Sequence, residues 1–384
     1  MSPRTGLPHS IGKAQSPVSN RPDLGYFDEG QDLASPSFYA EALRPDGQAR
    51  LLPPAAFRSL AFTQLEDEAV WTREWICVGS HEAIPHVGDL LPFTIGTHGV
   101  HVQRTANGLR ARFNKAQHGG CRLVPLQCQT GAKTRCSFTS CGYSRDRPAI
   151  PAGELGDGAP AMHQYLGLRP ERLLTAQARS WGPLIFVNLD VAPQSPDADL
   201  AALNKAAGFF GNHKPARSGE LWLEFSANWK LLAQALAAGE PFAEAPGARW
   251  LLARTAIDGA DDAVTAWLFP NLVLLATARE TCAVVLQQTA IGQTLCRVSV
   301  YGEAPAADAP ARWRETVEAR ARTAAAEHLA ISRWGTSFRP ATAGAPLPLQ
   351  TDPHGLWLAR MLAERVARVP REALPQPLFQ NPRS

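Results

Sequence analysis

One histidine and four cysteines lie close together between Asn114 and Cys141, at positions 118, 121, 128, 136 and 141. Short runs in which apolar and polar residues alternate come just before this stretch, and Asn107-Gly108 separates two of these runs. Such alternation predicts β-strands, and an Asn-Gly step between two strands predicts a hairpin. We therefore expect a small antiparallel β-domain whose loops carry Cys and His side chains.

The bulk properties of the chain exclude several classes of protein. The 384 residues have a formal net charge of +3, and both signs are interspersed, so nothing favours nucleic-acid binding. No apolar run approaches the length of a membrane span, and the first residues lack the apolar core of a secretory signal. Because seven cysteines is an odd number, we expect no disulfide framework. The sequence predicts a cytoplasmic protein that binds neither nucleic acid nor membrane.

Beyond the Cys/His stretch the chain shows both helical and strand-like periods. Residues 54–75 carry apolar side chains at helical spacing, with acidic residues on the other face. Alternating runs predict strands near 221–225, 282–288 and 294–301. Amphipathic patterns predict helices at 199–210, 312–334 and 356–369.

Five short motifs follow one another in a set order: Trp75–Gly79 (WICVG), His86–Asp89 (HVGD), Trp181–Asp190 (WGPLIFVNLD), Asn228–Lys230 (NWK) and Phe269–Asn271 (FPN). In this order and spacing the chain resembles the large (alpha) subunits of Rieske non-heme iron oxygenases, the aromatic-ring-hydroxylating type, over about residues 55–370. The resemblance implies an N-terminal cluster domain and a C-terminal catalytic domain.

In that family a C-x-H and a C-x-x-H motif hold a [2Fe–2S] cluster. The matching positions here are Ala116 and His118 in the first loop, and Cys136 and Thr139 in the second. Seventeen residues separate His118 from Cys136, which is the spacing of the family. Because a methyl group cannot ligate iron and a threonine hydroxyl substitutes poorly for imidazole, the resemblance implies that these four cluster positions are vestigial.

The family also binds a mononuclear iron through two His and one carboxylate. The two His follow N-W-K with four residues between them, and these positions fall on Pro241 and Pro246. The acidic residue three positions before the first His falls on Ala238. The nearest candidates for the third ligand are Glu327 and His328. Since proline offers no lone pair and interrupts a helix, we expect these positions to be vestigial and no cofactor to be bound.

Two alternatives stay open at this point. His118, Cys121, Cys136 and Cys141 form a plausible Cys₃His set, so zinc is an alternative cofactor. A [2Fe–2S] cluster and a mononuclear iron are the alternative if the ligands lie elsewhere in the chain. Glu240 and Glu244 are interpreted as the solvated face of a Pro-interrupted helix.

The predicted fold class is α+β with two sheet domains. We expect a mostly irregular arm at 1–54 and a Rieske-type antiparallel β-domain at 55–175. Residues 176–384 are predicted to form an oxygenase-like domain with a helix-grip (Bet v1/START-like) antiparallel sheet around a long helix that, by the resemblance, starts at the N-W-K motif, Asn228–Lys230.

The leading functional hypothesis is a catalytically inactive homologue of a Rieske oxygenase alpha subunit, and whether the chain is an enzyme is left open. Such a homologue would be a structural or regulatory member of a homo- or hetero-oligomer, of trimer type, with an active oxygenase subunit. One alternative is an active mono- or dioxygenase that hydroxylates or demethylates a small organic substrate. Another is a helix-grip protein that binds an apolar small molecule.

Overall fold

The computed structural model describes residues 27–28, 31–45, 47–113, 149, 151–152, 174–210, 216–244, 249–257, 259–302, 307–333 and 351–369. The strands in chain order are β1 (Phe27–Asp28), β2 (Gln31–Asp32), β3 (Ile76–Ser80), β4 (Leu90–Ile95), β5 (His98–Thr105), β6 (Gly108–Phe113), β7 (Thr175–Trp181), β8 (Leu184–Asn188), β9 (Ala216–Phe225), β10 (Glu240–Glu244), β11 (Trp250–Ile257), β12 (Ala260–Leu268), β13 (Leu272–Ala276), β14 (Glu280–Ala290) and β15 (Gln293–Gly302). The helices are α1 (Pro36–Tyr39), α2 (Ala55–Arg58), α3 (Leu60–Glu66), α4 (Asp197–Ala207), α5 (Trp229–Ala237), α6 (Ala309–Arg333) and α7 (Pro353–Ala367).

A six-stranded antiparallel sheet is formed by β3-β8-β7-β6-β5-β4 in spatial order. Strands β5 and β6 form the hairpin that the Asn-Gly step predicted. Thr105 pairs with Gly108, so Ala106 and Asn107 make the turn, and Gly108 has a φ of 111° that favours glycine. The middle of the hairpin is buried on both faces, since Val100, His101, Val102, Ala111 and Arg112 are all buried. This sheet is the predicted first β-domain.

Strands β7 and β8 carry the Trp181–Asn188 motif, which the sequence analysis placed at the start of the second domain. In the structure β8 pairs with β3 and β7 pairs with β6, so both strands belong to the first sheet. The limits 1–54, 55–175 and 176–384 themselves stay a prediction.

A seven-stranded antiparallel sheet has the order β10-β11-β12-β13-β14-β15-β9. The strands predicted near 282–288 and 294–301 are β14 and β15, and both are buried along most of their length. Helix α5 packs against β12, β13 and β14, while α6 packs against α5 and β9. The predicted α+β class with two antiparallel sheets is confirmed.

The helix termini follow ordinary capping chemistry. The Ser59 hydroxyl accepts from the backbone N–H of Phe62 at the start of α3, and Asp352 accepts from Gly355 N–H at the start of α7, where Pro353 follows the cap. Helix α4 ends at Gly208 in the left-handed conformation. The helix predicted to start at N-W-K is present as α5. It has only nine residues, so the prediction of a long helix at this position is wrong.

Two buried side chains of the second sheet region bind the backbone of the first sheet. Asn271 accepts from Cys77 N–H at 3.0 Å and donates to the Cys77 carbonyl at 2.8 Å. Arg297 donates to the Val78 and Pro92 carbonyls at 3.0 and 2.7 Å. These contacts cover backbone groups of the two edge strands β3 and β4, so Asn271 of the FPN motif and Arg297 of β15 join the two sheets.

Of the helices that the structure describes, none combines the length and the apolar character that crossing a membrane requires.

Candidate functional site

The segment that the resemblance assigns to the iron site begins at Asn228, the residue that caps the start of α5. Its side-chain carbonyl accepts from the backbone N–H of Lys230 at 3.1 Å and caps the helix. Its amide nitrogen donates to the carbonyls of Phe57 and Ile291 at 3.2 and 2.8 Å. One buried asparagine therefore sets the direction of α5 relative to α2 and the turn between β14 and β15.

Lys230 forms a buried ion pair with Glu66 of α3, with 2.6 Å between Nζ and Oε1. The ammonium also lies 5.1–5.5 Å from the ring centroids of Phe57, Phe62 and Trp229. Burial raises the pKa of Glu66, an effect that the Lys230 charge opposes, and burial lowers the pKa of Lys230, which Glu66 opposes. The pair and its aromatic cage fasten the start of α5 to α3.

The C-terminal end of α5 is closed by side chains from other elements. Arg320 of α6 donates to the carbonyls of Leu236 and Ala238 at 3.0 and 2.9 Å, and Thr265 of β12 donates to the Ala237 carbonyl at 2.8 Å. The same guanidinium donates to the Thr255 hydroxyl at 2.6 Å. The last carbonyls of a helix need such partners, so α5 has a satisfied end at Ala237.

After this end the chain becomes a strand instead of continuing the helix. Ala238 has extended backbone angles, and Pro241 pairs with Ala253 in the edge strand β10. Proline is tolerated at a sheet edge because it lacks an N–H to donate. A Cβ at Gly239 would lie 2.3 Å from the Arg254 carbonyl oxygen, so the turn into β10 requires glycine.

The expectation of a Pro-interrupted helix at Glu240 and Glu244 is wrong, because both residues lie on β10. Their interpretation as solvated residues holds, since both are exposed. Glu244 faces Arg360 of α7, with 3.5 Å between carboxylate and guanidinium. They do not form a catalytic carboxylate pair.

The donor set at the aligned iron positions does not fit a metal. Ala238 has a methyl group and Pro241 a pyrrolidine ring, and neither offers a lone pair. The third position, Pro246, lies outside the described residues. Among the parts of the chain that the structure describes, no group of three or more His, Cys, Asp or Glu side chains is placed to hold a metal ion.

Glu327 and His328, the candidates for a third ligand, lie on α6. Ser332 Oγ is 3.3 Å from Nε2 of His328, and a Cβ at Gly292 would lie 2.3 Å from the same nitrogen. Burial and the Lys230 charge lower the pKa of His328. Burial and then Asp352 raise the pKa of Glu327. Among the described residues, His328 contacts Ser332 on its own helix and Gly292 in the turn between β14 and β15, and no contact joins it to Ala238 or Pro241.

The predicted cluster and zinc positions fall outside the part of the chain that is described: Ala116, His118, Cys121, Cys136, Thr139 and Cys141. Their interpretation as vestigial positions, or as a rebuilt site, stays a prediction.

Buried aromatic side chains occupy the space beside α5. Trp267 of β12 and Trp357 of α7 have ring centroids 5.0 Å apart, and Phe269 lies 6.2 Å from Trp357. The ring centroid of Trp229 lies 6.3 Å from that of Phe269 and 5.1 Å from that of Trp71. This aromatic core supports the interpretation of the tryptophans as packing residues.

Three features of this region were missed from the sequence. These are the Glu66–Lys230 pair, the Arg320 cap and a group of arginines beside Glu74. Each joins residues far apart in the chain, so periodicity carries no signal for them. The only available hint was Lys230 itself, a charged residue within the apolar run Trp229–Ala237.

The two sheets, with a short helix against the larger one, define a known class of protein fold. The quaternary ammonium Rieske monooxygenase CntA in complex with γ-butyrobetaine aligns with a TM-score of 0.57 at 15% identity, over 86% of this chain and 98% of that one. Naphthalene 1,2-dioxygenase with bound indole aligns with a TM-score of 0.53 at 13% identity, over 83% of this chain and 92% of that one. The fold is that of Rieske oxygenase alpha subunits.

Sequence comparison gives the same class. No family model matches the chain. The glycine betaine monooxygenase oxygenase subunit of Pseudomonas aeruginosa is 27% identical over 194 residues, which are 50% of this chain and 44% of that protein. Biphenyl 2,3-dioxygenase subunit alpha of Rhodococcus jostii is 27% identical over 201 residues, 49% of this chain and 41% of that protein. The chain thus spans less than half the length of these relatives.

The homologues of this chain are alpha subunits of Rieske oxygenases, and the family resemblance seen in its motifs is confirmed. The expectation that no cofactor is bound is wrong. Rieske oxygenases carry a [2Fe–2S] cluster and iron, and no finding shows that this chain has lost them. Any iron bound by this chain is held by residues other than Ala238 and Pro241.

Proposed function

We propose that this chain is a catalytically inactive homologue of a Rieske oxygenase alpha subunit that serves as a structural or regulatory subunit beside an active one. The observation that carries the proposal is the end of α5. Oxygen activation in this class needs an iron whose protein ligands leave positions open. Here the segment that the family resemblance assigns to those ligands is a capped helix end followed by an edge strand, at Ala238 and Pro241.

The proposal concerns catalysis at the mononuclear iron and does not depend on whether the chain binds a cluster. A cluster bound by residues 114–141 would leave it unchanged, because the substrate would still lack an activated oxygen at α5.

The role as a subunit rests on the relatives. They are named as an oxygenase subunit and an alpha subunit, and one CntA structure is described in terms of inter-subunit electron transfer. Family members assemble as oligomers in which subunits act together, so we infer the same for this chain, with a trimer as the expected form. An inactive copy in such an assembly would alter its stability, its stoichiometry or the access of substrate.

The catalytic half of the proposal is tested by a turnover assay. The purified chain, reconstituted with iron and sulfide, is mixed with a Rieske reductase, NADH and either glycine betaine or biphenyl. The P. aeruginosa oxygenase subunit with glycine betaine is the positive control. We expect no product above the sample without oxygenase. Product formed by this chain, with the positive control working, would show an active mono- or dioxygenase instead.

The subunit half is tested by co-expression with a candidate active Rieske oxygenase alpha subunit, followed by size-exclusion chromatography with light scattering. One peak that contains both chains is the expected result. Two separate peaks at micromolar concentration would contradict it.

A further inference from the structure

A charged pocket of about 320 Å³ lies beside the end of α7. It is bounded by the turn after α3, the loop that follows β8, the start of β11 and the end of α7. Its polar lining includes four arginines and two acidic residues: Arg73, Arg249, Arg365, Arg368, Glu74 and Asp190. Four guanidinium groups that converge from three distant segments on one concavity are not explained by the proposed function.

The floor of the pocket is a buried ion-pair group. Glu74 is 3% exposed at its side chain and lies between two arginines, with 2.9 Å to Arg365 Nε and 3.1 Å to Arg249 Nε. The Arg365 guanidinium is equally buried and lies 5.0 Å from the Phe269 ring centroid. These contacts hold two of the guanidinium groups in place before any ligand arrives, which lowers the entropy cost of binding.

The group has hydrogen-bond donors left over. Arginine has five N–H donors, and Glu74 engages only the Nε of Arg249. The terminal nitrogens of Arg249 have no partner among the described residues, although the side chain is only 18% exposed. Arg73 uses one terminal nitrogen for Asp190, at 3.0 Å. Unused donors on a preformed surface are what a planar or tetrahedral oxyanion requires.

The charges at the pocket do not cancel. Glu364 lies at its rim, 3.1 Å from Arg365 and 3.8 Å from Arg368. When this carboxylate is counted with Glu74 and Asp190, four guanidinium groups face three carboxylates, and one positive charge remains. Arg73 and Arg368 each have one carboxylate partner, Asp190 at 3.0 Å and Glu364 at 3.8 Å, but both side chains are more than half exposed and line the pocket.

We propose that this pocket binds a small oxyanion, of carboxylate or phosphate type, between Arg73, Arg249 and Arg368. The bound anion would accept from the unused terminal N–H groups and neutralise the remaining positive charge. Because charged ligands at half-exposed sites are screened by salt, binding should weaken as ionic strength rises.

The test is thermal unfolding of the full chain in sodium phosphate, in sodium acetate and in sodium chloride at equal ionic strength. Ligand that binds only the folded state raises the unfolding midpoint. We expect phosphate, acetate or both to raise the midpoint above its value in chloride. Phosphate alone would identify a phosphate-type ligand, and a rise with both anions would extend the site to carboxylates.

Arg73→Gln and Arg368→Gln remove rim donors whose side chains are exposed, so both variants should fold. Each should weaken anion binding, measured by calorimetry, by about tenfold, the effect of losing a charge-assisted hydrogen bond. Arg360→Gln, on the same helix but paired with Glu244 outside the pocket, is the matched control and should bind as wild type. No rise above chloride with either anion, or unchanged binding by the Arg73→Gln/Arg368→Gln double variant, would overturn the proposal.

Discussion

The two ends of α5 contrast in how they are built and in what they resemble. The start, Asn228-Trp229-Lys230, is a motif shared with Rieske oxygenase alpha subunits, and its buried polar atoms bind the Phe57 carbonyl and Glu66. The end, after Ala237, departs from the expected helix and is closed by Arg320 and Thr265. One helix of nine residues thus joins a family-like start to a different end.

The difference shows that a fold can be kept while a ligand-bearing segment is replaced. The start of α5 fastens the helix to α3, which the two-sheet architecture needs. The end needs only partners for its carbonyls, and a single guanidinium from α6 provides two hydrogen bonds. The contrast can be sharpened or broken by changing each end separately.

Replacement of Lys230 should have the largest effect. Lys230→Met leaves Glu66 buried without its cation, and breaking a buried pair in this way costs about 3–5 kcal/mol. The free energy of unfolding, measured by urea denaturation, should fall by that amount. The loss follows from the uncompensated charge, because Met keeps most of the apolar volume of the lysine stem.

The double variant Glu66→Leu/Lys230→Met is the control. When both charges are replaced by apolar side chains of similar size, stability should return close to wild type. A double variant as unstable as Lys230→Met would mean that the aromatic cage of Phe57, Phe62 and Trp229 holds the lysine by packing, and that the ion pair is not what fastens this end.

Loss of the Arg320 cap should have the second largest effect. Arg320→Gln removes charge-assisted hydrogen bonds to the Leu236 and Ala238 carbonyls, and the expected loss in the free energy of unfolding is about 1.5–3 kcal/mol. Arg322→Gln, at an exposed position of the same helix, should change it by less than about 0.5 kcal/mol. Equal effects of the two variants would show that the end of α5 does not depend on this cap.

These contacts also show how far the sequence could be read. Alternation and the Asn-Gly step predicted β5, β6, β14 and β15, because strand period and turn chemistry are local. The predicted length of α5 was wrong, because the end of the helix is set by Arg320 and Thr265. Both residues lie tens of positions further along the chain. The arginine pocket was missed for the same reason, since Arg73, Arg249 and Arg365 meet only in the folded chain.

Protonation at the end of α5 should have a smaller effect. Burial lowers the pKa of His354, and Arg320 acts in the same direction, while Asp352 and the Ala237 carbonyl oppose it. A depressed pKa means that the unfolded state binds the proton more readily below pH 6.5, so stability present above that pH is lost as the pH falls.

The measurement is the free energy of unfolding between pH 7 and pH 5. His354 can contribute at most about 1.4 kcal/mol per pH unit, the slope for one proton. His354→Gln should show a shallower slope than the wild type over this range. Parallel curves for His354→Gln and wild type would place the pH dependence elsewhere.

The smallest effect is expected from restoring family side chains at the end of α5. In Ala238→Asp/Pro241→His both positions regain potential metal ligands, but Ala238 lies in the turn after α5 and Pro241 lies in the strand β10. Ligands that a helix would present along one face therefore do not converge, and the turnover assay should show no product above the parent chain. Since proline at this sheet edge donates no hydrogen bond, its replacement should leave the fold intact, as an unchanged unfolding midpoint would verify. Product formed by this variant would mean that side chains, and not the strand that replaces the helix, set the difference between the two ends of α5.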